Sequence, residues 1–453
     1  MADSIYTLLI VESPVLAERI QKLSPSSVYV ISTDGFCWNP VYDSKKNRLK
    51  AIADPEKIEL RKEIKEQAQW ANNIVVAADS DPSGDFITWS LAKFLNMSGI
   101  KRGKIQHLSK KGILNMLSDV SELNSDSLEA RLKNRFLIRQ LWADSSVTAG
   151  FQVAGIIAAL GATESYHHFF DENNNLYRST APLKSSPDEW ISVQLSKNKK
   201  QHKILKPLST FDIISKTVEL GIEDSFREAQ SLLQKLFQTT LPFSEESLIS
   251  YPRSSANAFY SETWENFRKQ YMHIGYQTDL KPRFLQEVAD PETPHESIYP
   301  LSLQLTPNYA AGELPRKITS LYKLIYDHTI QSIKIPEPLQ VSWINELNPD
   351  IFFYPLNNYQ NDPKSLRPVL TAREFGAILN KLGVIRPSKF GEFMDQALHK
   401  KWITLQKGSV RPGKLIMKKL HHADSYKSKL KNLSEIADYP SLNPETVRDI
   451  ISS

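Results

Sequence analysis

Two short apolar runs constrain this chain more than any other feature. Residues 5–11 (IYTLLIV) and 73–77 (NIVVA) carry no charge and are rich in β-branched residues, which reads as two strands buried on both faces. Each gives way to a polar loop holding an acid and a proline, and then to a helix. After the first run, Ser13 stands as an N-cap and Pro14 fits the first helical position, so a helix is expected over about Val15 to Leu23. The second run is followed by DSDPSG and a helix from about Asp85 to Leu95. A further strand at Ser27 to Ser32 and a charged amphipathic helix at Lys57 to Trp70 complete the alternation. This order predicts a parallel sheet wound with helices on both faces. In such sheets the ligand sits beyond the carboxyl ends of the strands. Glu12 lies just past one strand, and Asp79 and Asp81 lie just past the other. Acids so placed suit Mg²⁺, which takes oxygen ligands and bridges them to a phosphate.

With 453 residues the chain is too long for one core, and several domains are expected. The pattern is mostly helical over about Ser121 to Ala159 and over Thr210 to Phe237, with a polar stretch between them holding Pro182 and Pro187. Helices are also expected at 258–274, 315–333, 372–382 and 389–401, and short strands at LISYPRSS, LQVSWI and DIFFYP. Residues 421–453 are polar with little pattern. Lys and Arg number 56 against 51 Asp and Glu, so nucleic-acid binding would require the charge to be gathered on one face. A lone cysteine, Cys37, excludes a disulfide scaffold and a cysteine-ligated zinc site. No apolar stretch approaches the 18 residues of a membrane span, and the start lacks the basic region of a signal peptide. A reducing, aqueous compartment is expected. Gly408 to Lys414 matches the opening of a phosphate-binding loop, but Leu415 stands where Ser or Thr must meet Mg²⁺, so no ATP site is expected there.

Several segments carry a family resemblance. LLIVESPVLAERI and VVAADSDPSGDFITWSL resemble a Toprim domain, in particular the opening of a type IA DNA topoisomerase. LISYPRSS at 248–255 is similar to the family segment that holds the nucleophilic tyrosine and a helping arginine, which fall here on Tyr251 and Arg253. A phenol with a pKa near 10 needs a neighbouring cation to become a nucleophile, and a residue two positions on along an extended segment projects to the same side. PHESIYP at 294–300 resembles the family's His-Glu-Ala-Ile-Arg-Pro, which makes His295 a phosphate contact. LGVIRPSKF at 382–390 resembles the family's Arg-Pro-Ser helix start, with Ser388 as its cap and Arg386 and Lys389 beside a DNA phosphate. ARLKNRFLIRQLW is similar to a helix bearing an active-site arginine, here Arg139. The matches run in order from residue 8 to about 403.

The resemblance implies a multidomain α/β plus α protein closing into a ring. It divides into a Toprim domain at 1–120, a helical DNA-groove domain from 121–180 and 366–435, and an arch with short strands from 181–215 and 316–365. A helical domain at 216–315 bears Tyr251, and 436–453 form a tail. The implied reaction is ATP-independent transesterification on single-stranded DNA by a monomer in the cytoplasm, at the nucleoid. Tyr251, Glu12, Arg253 and Arg139 are the expected catalytic residues. Mg²⁺ is expected on Glu12, Asp79, Asp81 and Asp85. The sequence also departs from the family. Leu16 replaces a lysine, for which Arg19 one turn on is the expected substitute, and Ser83 replaces the third acid of the loop. The arginine of Ala-Gly-Arg-Val-Gln is missing from Ala149–Val153, Tyr299 replaces another arginine, and the arch segments are short. These departures keep two other readings open: a homologue that binds single-stranded DNA or a partner without cutting, and a Toprim nuclease or primase.

Overall fold

The computed structural model describes residues 6–79, 82–144, 150–161, 205–242, 246–273, 295–333, 370–406 and 409–437, together with residue 285 and short segments within 168–202, 338–355 and 445–449. Asp81 lies outside the described residues.

The N-terminal unit runs β1 (Thr7–Val11), α1 (Pro14–Leu23), β2 (Val28–Ser32), β3 (Trp38–Asp43), β4 (Arg48–Ala53), α2 (Ile58–Trp70), β5 (Asn73–Val76), α3 (Pro82–Phe94), β6 (Gly99–Arg102), α4 (Lys110–Ser118) and β7 (Ser121–Asn124). Its sheet has the order β2-β1-β5-β6-β7, parallel except for the antiparallel β6–β7 pair. Alternate residues of β1 feed two cores. Leu9 and Val11 join Ile20 of α1, while Leu8 and Ile10 join Ile64 of α2. Such a strand has no polar face, which is why its sequence is an unbroken apolar run. Ser13 takes the extended N-cap conformation with Pro14 behind it, but its side chain makes no capping bond. Because β1 and β5 are hydrogen-bonded neighbours, Glu12 and Asp79 emerge at the same edge of the sheet.

Beyond it lie α5 (Ser125–Asp144), α6 (Phe151–Gly161), β8 (His168–Phe170), β9 (Leu176–Ser179), β10 (Leu195–Ser196), β11 (Gln201–His202), α7 (Thr210–Glu219), α8 (Phe226–Gln238), α9 (Ser261–His273), α10 (Pro307–Ala311) and α11 (Arg316–Ile333). The chain continues through β12 (Pro338–Leu339), β13 (Trp343–Asn345), β14 (Phe352–Pro355), α12 (Ala372–Lys381), α13 (Phe390–His399), β15 (Ile403–Gln406), β16 (Ser409–Pro412), α14 (Lys414–Met417) and α15 (Ala423–Ala437). A second sheet, antiparallel in the order β10-β13-β14-β9-β8, joins strands that are far apart in sequence. β8 and β9, from the stretch expected to be helical up to residue 180, pair in one sheet with β10, β13 and β14. Reciprocal capping boxes start α7 (Ser209 with Asp212) and α12 (Thr371 with Glu374). Phe390 of α13 packs edge-on against Phe211 and Phe226, at 5.1 and 6.0 Å between ring centres, and so ties α13 to α7 and α8.

Three expectations are corrected. LISYPRSS is no strand. Its backbone is pinned by a bridge from Ile249 to Pro300 and by the Tyr251 N–H, which donates to the Gln106 carbonyl at 2.7 Å. Residues 423–437 form a helix, α15, with Tyr426, Leu430 and Leu433 buried. Ser388 is not at the N-cap: that position falls on Arg386 for the turn at Pro387–Lys389 and on Lys389 for the helix after it, neither side chain makes a capping bond, and the Gly391 amide donates to Gln230 Oε1 at 2.6 Å. The described part of the false phosphate-loop segment, residues 409–414, forms β16 of the β15–β16 hairpin and runs into a one-turn helix.

Candidate active site

Tyr251 stands where the N-terminal sheet meets the helices of the following region. Its ring is buried, edge-on to Phe237 at 5.8 Å and tilted over the His295 ring at 4.4 Å. The hydroxyl donates to Asp79 Oδ1, and Arg253 pairs with the other oxygen of the same carboxylate. One acid at the end of β5 thus meets both the phenol and the guanidinium that the sequence singled out. Burial lowers the proton affinity of Arg253, and the negative charge of Glu12 partly restores it, so Glu12 lies within electrostatic reach of the same group. Four of the expected residues, Glu12, Asp79, Tyr251 and Arg253, are therefore gathered at one point.

His295 is buried. Its Nδ1 lies 3.1 Å from Gln106 Oε1, and the Gln106 amide nitrogen donates to the Tyr260 hydroxyl at 3.3 Å. Gln106 was not anticipated, because nothing in the sequence marks one glutamine among others. Its backbone carbonyl also receives the Tyr251 N–H, so it holds both the Tyr251 segment and the histidine beside it.

Asp85 sits elsewhere than expected. Arg102 Nη1 lies 2.7 Å from one of its oxygens and Arg135 Nη1 lies 3.0 Å from the other. Both oxygens are engaged, which makes Asp85 an anchor for the loop. Arg102 also donates to the carbonyls of Ala78 and Asp79. The loop between β5 and α3 is thus held by one buried arginine from β6. Gly84 belongs to this arrangement, since an added Cβ would stand 1.9 Å from the Asp79 carbonyl oxygen.

Arg19 is buried and donates to the Phe237 carbonyl at 3.0 Å, so it supports the residue packed on Tyr251. Leu16 packs against the core. Arg139, Arg386, Ser388 and Lys389 line one cavity of about 590 Å³ together with Ser83 and Gln152. Of the residues that the sequence assigned to DNA contacts, Arg386, Ser388 and Lys389 share this concave surface with Arg139, and it reaches Ser83, whereas Arg19 and His295 do not line it.

Three comparisons bear on this arrangement. The Toprim domain family matches residues 7–110. This segment of the chain is a Toprim domain. The DNA topoisomerase 1 of Mycoplasmoides gallisepticum is 21% identical over 454 aligned positions, covering 78% of this chain and 62% of that protein. The DNA topoisomerase 1 of Campylobacter jejuni is 23% identical over 378 positions, covering 71% of this chain and 53% of that protein. The chain thus spans between half and two thirds of the length of these relatives. Full-length topoisomerase I from Thermotoga maritima superposes with a TM-score of 0.64 at 17% identity, over 98% of this chain and 89% of that one. The chain shares the fold of that topoisomerase I. No helix among the described residues is long and apolar enough to cross a membrane.

Against the Toprim domain lies a pair of adjacent residues with opposite proton preferences. Burial, then the charges of Lys104 and Arg253, push His295 down to about 3. Burial pushes Glu296 up to about 7, even though it accepts bonds from the Tyr260 amide at 2.8 Å, the Thr263 hydroxyl at 2.9 Å and the Tyr299 hydroxyl. The unfolded chain protonates His295 below about 6.5 and the folded chain refuses that proton down to about 3, so this term weakens folding as pH falls through that window. The folded chain keeps the Glu296 proton to about 7 and the unfolded chain loses it near 4.5, so this second term weakens folding as pH rises through that window. Between 4.5 and 6.5 the two oppose each other. Glu296→Gln removes only the second. Its stability relative to wild type is expected to climb across pH 4.5 to 7 by up to about 1.4 kcal/mol per pH unit. Urea unfolding at half-unit pH steps measures this, and a pH-independent difference would refute it.

Proposed function

We propose that this chain is a type IA DNA topoisomerase that relaxes negative supercoils without ATP. It cleaves single-stranded DNA through a 5′-phosphotyrosyl link at Tyr251, passes a strand through the break and rejoins it. The observation that carries this reading is the carboxylate of Asp79, held between the Tyr251 hydroxyl and the Arg253 guanidinium. An anion bound between a phenol and a guanidinium occupies the position that a scissile phosphate takes in such a reaction.

When DNA enters, Arg253 exchanges Asp79 for phosphate oxygens, which its planar fork can grip in pairs. Tyr251 Oη forms a bond to phosphorus as the bond to the 3′ oxygen breaks. The phenol proton passes to Asp79, its hydrogen-bond acceptor, and Glu12 gives a proton to the departing oxygen. Rejoining runs the same transfers in reverse. The cavity bearing Arg139, Arg386 and Lys389 holds the strand on either side of the break. Glu12 and Asp79, with Asp81, would hold Mg²⁺, being oxygen donors on neighbouring strand ends. When bound, the ion neutralises phosphate charge and aligns the cut ends. Asp85 is tied to its arginines and Ser83 brings no carboxylate, so Mg²⁺ is expected to bind more weakly than to a loop with three free acids.

One observation favours a second reading, a single-stranded DNA-binding homologue that does not cut: Leu16 is packed in the core and Arg19 is turned to Phe237, so neither brings a cation to the phosphate. An assay on end-labelled single-stranded DNA, with and without Mg²⁺ and stopped with detergent, separates the two. A protein-linked fragment supports the topoisomerase, whereas bound but uncut DNA supports the alternative.

A further inference from the structure

We propose that Lys104 grips the backbone of the DNA strand held at Tyr251, as a second cation beside Arg253. This rests on the cleavage reading above and adds a residue that the sequence did not single out.

Lys104 lies between β6 and α4, in a segment that runs along the nucleophile's own. The Tyr251 amide donates to the Gln106 carbonyl at 2.7 Å and the Ser247 amide donates to the Leu108 carbonyl at 2.9 Å, so residues 106–108 are drawn out against 247–251. In an extended segment, residues two apart project to the same side. Gln106 turns its side chain to His295, at 3.1 Å, and the burial of Ile105 between them is consistent with Lys104 on that side. The His295 ring in turn lies 4.4 Å from the ring of Tyr251. The low proton affinity of His295 reflects the charge of Lys104 next after burial, which agrees with this placement.

Three basic side chains surround the nucleophile, and two are committed within the protein. Arg253 pairs with Asp79, and Arg19 is buried against the Phe237 carbonyl. Lys104 is exposed, and among the described residues no hydrogen bond or ion pair engages it. An exposed ammonium at the rim of a buried phenol and a neutral imidazole is matched by a phosphodiester. A strand lying over Tyr251 would have both Arg253 and Lys104 within electrostatic reach of its backbone.

The test compares wild type, Lys104→Gln and Lys104→Arg on a fluorescent single-stranded oligonucleotide over a range of salt, and then in the detergent-stopped cleavage assay. Lys104→Gln is expected to lower the salt slope of binding by about 0.7, the value for one phosphate contact on a single strand. It is also expected to lower the adduct yield about tenfold or more. Lys104→Arg should restore both. Melting curves should coincide, because the side chain is exposed. If wild type forms the adduct and Lys104→Gln matches it in slope and yield, the proposal is wrong and the cleavage reading stands. If wild type binds without cutting, the cleavage reading fails, and the salt slope still decides whether Lys104 meets a phosphate. If wild type does not bind DNA, both fail.

Discussion

A Tyr251→Phe chain is expected to bind single-stranded DNA as wild type does and to form no covalent adduct. The ring keeps its packing against Phe237 and His295, and the backbone bond to Gln106 is untouched. One hydrogen bond is lost, from the hydroxyl to Asp79, which retains Arg253. The expected stability cost is about 1 kcal/mol. Loss of chemistry should be complete, since the missing oxygen is the atom proposed to bond to phosphorus. Arg253, Arg139, Arg386 and Lys389 remain, so affinity and its salt dependence should hold. Gel analysis of labelled strands after detergent, beside anisotropy on the same samples, gives both readings. Nicking that persists in Tyr251→Phe would transfer the reaction to the Toprim acids and to hydrolysis, and would defeat the tyrosine mechanism.

The sequence disclosed most where burial leaves a strong pattern. β1 and β5 are covered on both faces, so their apolar runs could be read directly, and Glu12 and Asp79 followed from them. β3 and β4 bury little beyond Trp38 and Leu49, and β7 is an almost wholly exposed edge strand, so neither leaves a periodic signal. α15 was legible but missed: Ala423, Tyr426, Leu430 and Leu433 recur at helical spacing within a polar tract, and the charged face obscured the stripe. At the site, the conjunction of Tyr251, Arg253, Glu12 and Asp79 came from motif order. The role of Asp85 did not. It depends on Arg102, which lies 17 residues further on at the end of the next strand and is brought back only by the pairing of β5 with β6. Spacing along the chain carries no trace of a contact made between neighbouring strand ends. The same holds for Arg19, which a helix face assigned to phosphate and tertiary packing assigned to Phe237.

That arginine gives the largest stability effect expected in the molecule. Arg102 is 4% exposed and binds Asp85 Oδ1 at 2.7 Å and the carbonyls of Ala78 and Asp79. Arg102→Ala removes the cation, leaves the two carbonyls without their donor and leaves Asp85 with Arg135 alone. Breaking a buried pair by deleting one partner costs about 3–5 kcal/mol. The surviving Arg135 contact places Arg102→Ala at the lower end, near 3 kcal/mol. Arg102→Lys should recover part of this, because one ammonium cannot reach all three acceptors at once. Gly84→Ala attacks the same loop by a different route, since its new methyl would collide with the Asp79 carbonyl and with Arg102 Nη2. Both variants should therefore lose adduct formation together with stability, because the carboxylate that meets Tyr251 belongs to the loop they disturb. Urea midpoints, read with the adduct yield of the fraction still folded, test this coupling. An Arg102→Ala chain that unfolds more easily yet cleaves normally when folded would show that the loop does not need its clamp to present Asp79.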